Sequence, residues 1–414
     1  MRISQAQISE QNGRTRLTAR VTHEAVDRPA EDIFFEVNTR HKDHLRLLNE
    51  AFLLCSFPAA LFHGEKRIVV EGPLCPELVA NLRAAMLLQK LWWGDTQAIP
   101  VIESTGSHVL DRSQAGTGCF LSGGVDSMSS FCRNISLYGR GDSRRITQAV
   151  FVYGMDVGNP NTIERYDLFD NSTRKFSAFL AEHGCELIPL YTNARNVEPN
   201  WKFYEERHFG ALLAGIAHAM SNRFDACQVA LDLRSDNSDE WGSHPWLNKY
   251  FSSSAVSVDS VMDSYTRIEK YDFIAQVPGA LDVLRVCYIT SDVAEGELNC
   301  GLCAKCTRTK VELLAQGLLE RATTFADKTI AHDSVRKMSV SHRHDLEFIE
   351  APIERLRQRG HNDIADQLQR KVDRYKKGPS LPHRFLHKIK KIDNEHFNNR
   401  LASVAKRVGI RLDN

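Results

Sequence analysis

Strands alternating with helices from about residue 105 predict an α/β fold, a parallel sheet covered by helices on both faces. Two further observations frame that expectation. Residues from about 15 to 105 carry strand-like alternation and helical stretches in an order that reads as a smaller α+β unit. Beyond about residue 320 the chain turns polar and helical. A chain of 414 residues holds two or three domains, and the expected divisions are 1–105, 106–320 and 321–414. The apolar and charged shares, 42% and 25%, exclude a disordered or fibrous chain.

Residues 16–21 and 32–37 alternate as strands, and 44–62 carry enough apolar residues for a helix with a buried face. A turn at 64–66 leads into a strand over 67–70. Pro76 starts a helix that runs to about Trp93, and 98–102 reads as one more strand. Trp92-Trp93-Gly94 reads as a helix end packed on a neighbour rather than a binding platform.

In the α/β part, Cys119, Phe120 and Leu121 form the first strand, followed by strands at 149–153, 186–190 and 227–231. Helices over 128–137, 163–181 and 208–220 separate them. Ligands of such sheets sit beyond the carboxyl ends of the strands, so the segments after each strand are the expected place for chemistry.

Residues 118–127, G-C-F-L-S-G-G-V-D-S, are the segment around which the rest is organised. A short apolar strand, a Ser122-Gly123-Gly124 turn and a helix from Val125 form a cradle for phosphate. Adjacent glycines admit an anion close to the backbone, and the helix N-terminus adds positive charge. Ser122 and Ser127 offer hydroxyls, and Asp126 offers a carboxylate for the Mg²⁺ that accompanies a polyphosphate. No Walker A sequence occurs in the chain.

After the second strand, Gly154 and Gly158 flank Asp156, which is placed to face a ribose. The segment after the third strand, 191–195, is uninformative. The fourth, 232–245, reads D-L-R-S-D-N-S-D-E-W-G-S-H-P. Its length and its acidic and aromatic content make it the expected substrate-recognition loop, with Asp232, Asp236, Trp241 and His244 as candidate contacts. The 122–127 string resembles the PP-loop, whose enzymes frequently place a Thr-Lys or Arg-containing step at 266–270 with its cation on leaving pyrophosphate. The resemblance implies that role for Lys270 or Arg267, and Arg308 could point back toward the phosphates.

Ten cysteines occur, six of them scattered in apolar sequence as small buried hydrophobes. The other four, Cys287 and Cys300, Cys303 and Cys306 in C-x-x-C-x-x-C spacing, predict a metal. Zinc comes first because four sulfurs close a tetrahedral site, and an iron–sulfur cluster is the alternative. A Cys₄ zinc site contributes an apparent ~10–16 kcal/mol, comparable with the ~5–15 kcal/mol stability of a whole domain.

The S-G-G-V-D-S string resembles the PP-loop of the ATP pyrophosphatase superfamily, whose fold is adenine nucleotide alpha hydrolase-like and whose members split ATP into AMP and pyrophosphate. Followed by Cys287 and C-G-x-C-x-x-C, it resembles the 7-cyano-7-deazaguanine synthase family over about residues 118–317. The resemblance implies an ATP site at Ser122, Gly123, Gly124, Asp126 and Ser127, and zinc on Cys287, Cys300, Cys303 and Cys306. It implies an AMP-forming ligase that adenylates a carboxylate or similar oxygen of a small molecule. The 232–245 loop does not reproduce that family's carboxylate-recognition string. Two alternatives stand beside it: a tRNA-modifying sulfurtransferase of the PP-loop class, and a non-catalytic ATP-binding interaction module.

Net charge is +1, but its distribution is uneven. Residues 371–414 carry 12 Lys and Arg against 4 Asp and Glu, and the preceding part 41 against 48. The basic segment 384–411 has apolar residues at helical spacing, which favours a packed amphipathic helix over a nucleic-acid arm. His342 and His344 are read as lying at a capped helix start rather than as a metal pair. Residues 1–14 are polar, and the longest apolar block, 51–62, falls short of the roughly 18 residues a spanning helix needs. No membrane association and a cytoplasmic location are therefore expected.

Overall fold

The computed structural model describes residues 1–94, 98–112, 116–159, 164–338, 340 and 343–377. Ten strands form one sheet: β1 (Arg2–Gln11), β2 (Arg14–Thr22), β3 (Glu31–Asn38), β4 (Arg67–Leu74), β5 (Val101–Ser107), β6 (Thr117–Phe120), β7 (Ile146–Tyr153), β8 (Glu186–Thr192), β9 (Ala226–Ala230) and β10 (Ser257–Val261). Their order is β10-β9-β6-β7-β8-β3-β2-β1-β4-β5. The five strands from β10 to β8 run parallel. β3 then pairs antiparallel with β8, Phe35 opposite Thr192 and Val37 opposite Leu190. β3, β2 and β1 continue antiparallel, and β4 and β5 return to parallel pairing.

The helices are α1 (Asn49–Phe62), α2 (Pro76–Trp93), α3 (Val125–Leu137), α4 (Tyr166–Glu182), α5 (Trp201–Phe203), α6 (Phe209–Ala219) and α7 (Pro245–Asn248). They continue with α8 (Arg267–Gln276), α9 (Ala304–Gln316), α10 (His332–Lys337), α11 (Arg343–Glu350), α12 (Ile353–Gln358) and α13 (Asn362–Lys377). No described helix is long and apolar enough to cross a membrane.

Alternation along β7 separates two cores. Val150 and Val152 face one, built with α1, α2 and α6, and Ala149, Phe151 and Tyr153 face the other, built with α3, α4, α8 and α9. Both faces of the parallel half are thus covered, which explains its nearly continuous apolar strands. α1 is predominantly apolar, and every residue from Glu50 to Leu61 is buried. It lies against α6 at Gly215, where an added Cβ would stand 2.5 Å from Cys55 Sγ and 2.7 Å from the Ala51 carbonyl oxygen.

The chain divides into two compact units, Met1–Met338 and Ser339–Asn414. The expected boundaries near 105 and 320 both fall inside the first, whose sheet carries strands from either side of residue 105. In the second unit α11 and α12 pack on α13, burying Phe348, Ile349, Leu356, Leu368 and Val372. The basic 384–411 segment and His342 lie outside the described residues, as does the side chain of His344.

Several elements differ from the sequence expectation. β1 and β10 had not been expected. The helix expected over 44–62 begins at Asn49, after a 3-10 turn at Thr39–His44 and an extended link. α8 starts four residues ahead of Tyr271, because Thr266 and Glu269 form a reciprocal capping box.

Candidate functional site

The 122–127 loop joins β6 to α3 at the carboxyl edge of the parallel strands. Gly123 has φ +79°, and a Cβ there would stand 2.5 Å from Phe176 Cζ and 2.9 Å from Arg285 Cβ. Only glycine fits that conformation and that space. Two serines brace the turn: Ser127 Oγ donates to the Gly124 carbonyl at 3.1 Å and accepts from Ser122 N at 3.3 Å, and Ser122 Oγ accepts from Gly124 N at 3.3 Å. The N-cap, Gly124, supplies no side-chain hydrogen bond to the first turn of α3. A helix start of that kind is suited to an anion.

Asp126, in that first turn, is held by two cations. Arg267 Nη1 is 2.6 Å from its Oδ2 and Lys270 Nζ is 2.7 Å from its Oδ1. The two cations are three residues apart on α8 and so share the face that meets α3. Burial alone would raise the Asp126 pKa, but the charges of Arg267 and Lys270 outweigh it and hold the carboxyl well below the usual range. Lys270 Nζ also donates to the Leu231 carbonyl at 2.5 Å. Behind them lies Glu312, fully buried, which accepts from Arg267 Nε at 3.3 Å and Tyr271 OH at 2.6 Å and pairs with Arg308 at 3.9 Å. Asp126, Lys270 and Arg308, expected to act together, therefore belong to one network of three cations and two carboxylates. Both oxygens of Asp126, the carboxylate expected to be offered to magnesium, are bonded to these two cations.

A second charged group surrounds Asp156. Arg195 is fully buried, with Nη1 donating to the Met155 carbonyl at 2.9 Å and its guanidinium 3.8 Å over the Tyr204 ring. Arg285 is 3% exposed, and its backbone N–H donates to the Gly123 carbonyl at 2.8 Å. Nε and Nη2 of both arginines have no hydrogen-bond partner. Burial lowers the pKa of each, and the Asp156 carboxylate acts on both in the opposite direction. Asp156 also raises the pKa of Tyr204 and Glu205, adding to the effect of burial. Tyr204–His208 is a π-helical turn between α5 and α6, a distortion common at functional sites. Buried guanidinium nitrogens left without a hydrogen-bond partner cost free energy that an anionic ligand there would remove.

Arg195, Arg285, Tyr204 and Glu205 are not marked by any motif in the sequence. The one available signal was position: Arg285 lies two residues before Cys287, and Arg308 two residues after Cys306.

The 232–245 loop docks on the π-helical turn, with Gly242 N donating to the Glu205 carbonyl at 3.2 Å and Gly242 O accepting from Gly210 N at 3.0 Å. His244 is placed differently from the expectation of a substrate contact. It is buried, its Nε2 reaches the Asn237 carbonyl at 3.0 Å, and its Nδ1 accepts from Trp246 N at 3.1 Å as the cap of α7. Both ring nitrogens are thus bound within the loop. Trp92 packs on His244 with ring centroids 5.2 Å apart, so the end of α2 buttresses the loop, in line with its reading as a packed helix end. Asp236 is exposed and bonded to Arg234 at 3.1 and 2.8 Å. Asp232 follows Leu231 at the end of β9, beside the Lys270 contact, and Trp241 is half-buried.

The four clustered cysteines converge. Their sulfurs all lie within 4.8 Å of one another, with Cys287 to Cys303 at 3.8 Å and Cys300 to Cys306 at 3.9 Å. A tetrahedral zinc with ~2.3 Å Zn–S bonds places its sulfurs about 3.8 Å apart. None of the four is in a disulfide. Backbone N–H groups of Cys303 and Cys306 point at the sulfurs of Cys300 and Cys303, at 3.3 and 3.5 Å, which favours thiolates. This group could hold a metal such as zinc. No protein-family model matches the chain, and no curated protein or solved structure matches it either.

Proposed function

We propose that the chain is an AMP-forming, ATP-dependent ligase of the PP-loop type, which adenylates a carboxylate or similar oxygen of a small molecule. The observation that carries this reading is Arg285. Its backbone is bonded to Gly123 of the loop, and two of its buried guanidinium nitrogens lack a partner.

In this reading the polyphosphate lies on the 122–127 loop and the open start of α3. An acceptor oxygen attacks the α-phosphorus in line, forming the new O–P bond as the bond to the departing pyrophosphate breaks. Such a reaction depends on positioning and neutralisation of charge. Arg285 supplies charge from one side. On the other, the Asp126–Lys270–Arg267–Glu312–Arg308 network carries a surplus of one positive charge. Asp126 serves there as the anchor of two cations, and no step is assigned to a magnesium ion on it. Zinc on the four cysteines would fix the ends of the segments that carry Arg285 and Arg308. The 232–245 loop, resting on the π-helical turn, is where the acceptor is sought.

The sulfurtransferase alternative needs an accessible cysteine to carry sulfur. All six cysteines outside the cluster are buried, which favours the ligase.

The test supplies α-labelled ATP, a panel of small carboxylic acids and ammonia, whose attack on the acyl carbon of the adenylate breaks the acyl–phosphate bond and releases AMP. AMP and pyrophosphate are the expected products, and release of ADP would overturn the reading. Arg285→Met should lower kcat/KM by about 100-fold or more, while leaving the ligand-free protein at least as stable, since an unpartnered buried charge is removed.

A further inference from the structure

At the opposite edge of the sheet, where the parallel strands begin, three metal-ligating side chains meet. The 3-10 turn Thr39–His44 follows β3 directly and carries His41 and His44, three residues apart and so on one face. Glu186 opens β8. His41 Nδ1 is 3.1 Å from Glu186 Oε1, and His44 Nε2 is 3.6 Å from Oε2. The three donor atoms lie within 4.8 Å of one another. Both histidines are buried, while half of the Glu186 side chain reaches solvent.

Hydrogen bonding limits what occupies the space between them. His44 Nδ1 is 3.0 Å from the His41 carbonyl oxygen. A carbonyl only accepts, so Nδ1 carries the ring proton and Nε2 of the neutral ring presents a lone pair. That lone pair faces Glu186 Oε2 and makes no hydrogen bond. Two acceptors turned toward each other, His44 Nε2 and Glu186 Oε2 at 3.6 Å, are relieved by a positive centre between them. One ring nitrogen bonded to a carbonyl and the other turned inward is the arrangement of a metal-bound histidine. The separations of 3.1 and 3.6 Å bracket the roughly 3.3–3.5 Å expected between nitrogen and oxygen ligands of tetrahedral zinc. One contact competes: Arg40 Nε donates to His41 Nε2 at 2.9 Å, which keeps the proton of a neutral ring on Nδ1. Arg40 is exposed, and its release frees Nδ1 to coordinate.

We propose that His41, His44 and Glu186 form a second metal site, which takes a divalent transition metal, zinc first, with solvent completing the coordination. Two imidazoles and a carboxylate suit zinc and do not suit magnesium or calcium. The site joins the turn after β3 to the first residue of β8, across the antiparallel junction of the sheet.

The test is zinc bound per full-length, tag-free chain after equilibrium dialysis against micromolar zinc. Two equivalents are expected for the natural sequence and one for His44→Ala and for Glu186→Gln. Arg40→Ala should keep two, with the second bound several-fold more tightly. One equivalent in the natural sequence would reduce the cluster to an ion pair and overturn the proposal, as would two equivalents retained in both ligand variants. Should His44→Ala fail to fold, Glu186→Gln and zinc titration of the natural protein with its first equivalent already bound decide the matter. Absence of a second binding step there overturns the site.

Discussion

Asp126 is the residue on which the most buried charge depends. Replacing it with Asn leaves Lys270 and Arg267, both at most 5% exposed at the side chain, without their shared carboxylate, and should cost about 3–5 kcal/mol at neutral pH. The sign of its pH dependence follows from the lowered pKa. The ion pairs stabilise the fold above the ordinary carboxylate range of about 4 and lose that contribution as pH falls through the lower folded value. The gap between the natural protein and Asp126→Asn should therefore narrow in acid, as read from urea midpoints at several pH values. A gap that stays constant with pH would contradict this assignment. The loop serines and glycines and the four cysteines were legible because spacing alone marks them. Arg195 and Arg285 were not, since a single arginine has no spacing to read, and its missing partners appear only once burial is known. His244 misled for the related reason that a polar residue in a polar loop looks available until its two bonds are seen.

Among the elements, α1 and α6 depend on a single close approach. Gly215→Ala pushes a methyl group against Cys55 Sγ and the Ala51 carbonyl, and the helices must separate or bend. The expected loss is about 1–3 kcal/mol, measured as a lower urea midpoint with an unchanged slope. An unaffected midpoint would mean that the pair is not packed as described. Periodicity identified α2, α3, α4 and the central strands well, because each buries one face or runs fully buried. It failed for β1, R-I-S-Q-A-Q-I-S-E-Q, where one residue in ten is fully buried and hydrogen bonding to β2 sets the conformation. It also failed at 44–48, where apolar Leu45 and Leu48 are buried in an extended link rather than along a helix.

Across Met1–Met338, the cysteine cluster and the proposed nucleotide site are linked by sequence position, since Arg285 and Arg308 each lie two residues from a clustered cysteine. Removing metal with a chelator, or replacing Cys303 with Ser, should release the segments that end in Arg285 and begin before Arg308. Nucleotide binding is expected to weaken at least tenfold and new protease cleavage to appear between 287 and 306. A stripped protein with undiminished affinity and an unchanged digest would separate the two sites. The α/β class was legible at this scale, since four strands alternate with three helices along the sequence. The continuity of the sheet across residue 105 was not, because pairing of β3 with β8 leaves no trace in either strand.

That pairing has a consequence in time. β3 emerges from the ribosome about 150 residues ahead of the strand it pairs with, and at ~5–20 residues per second its partner follows some 8–30 s later. Throughout that interval one edge of β3, with Phe35 and Val37 beside it, has no neighbour. A nascent chain halted before residue 186 should therefore associate with chaperones or with other copies of itself, whereas one extended past residue 192 and clear of the exit tunnel should not.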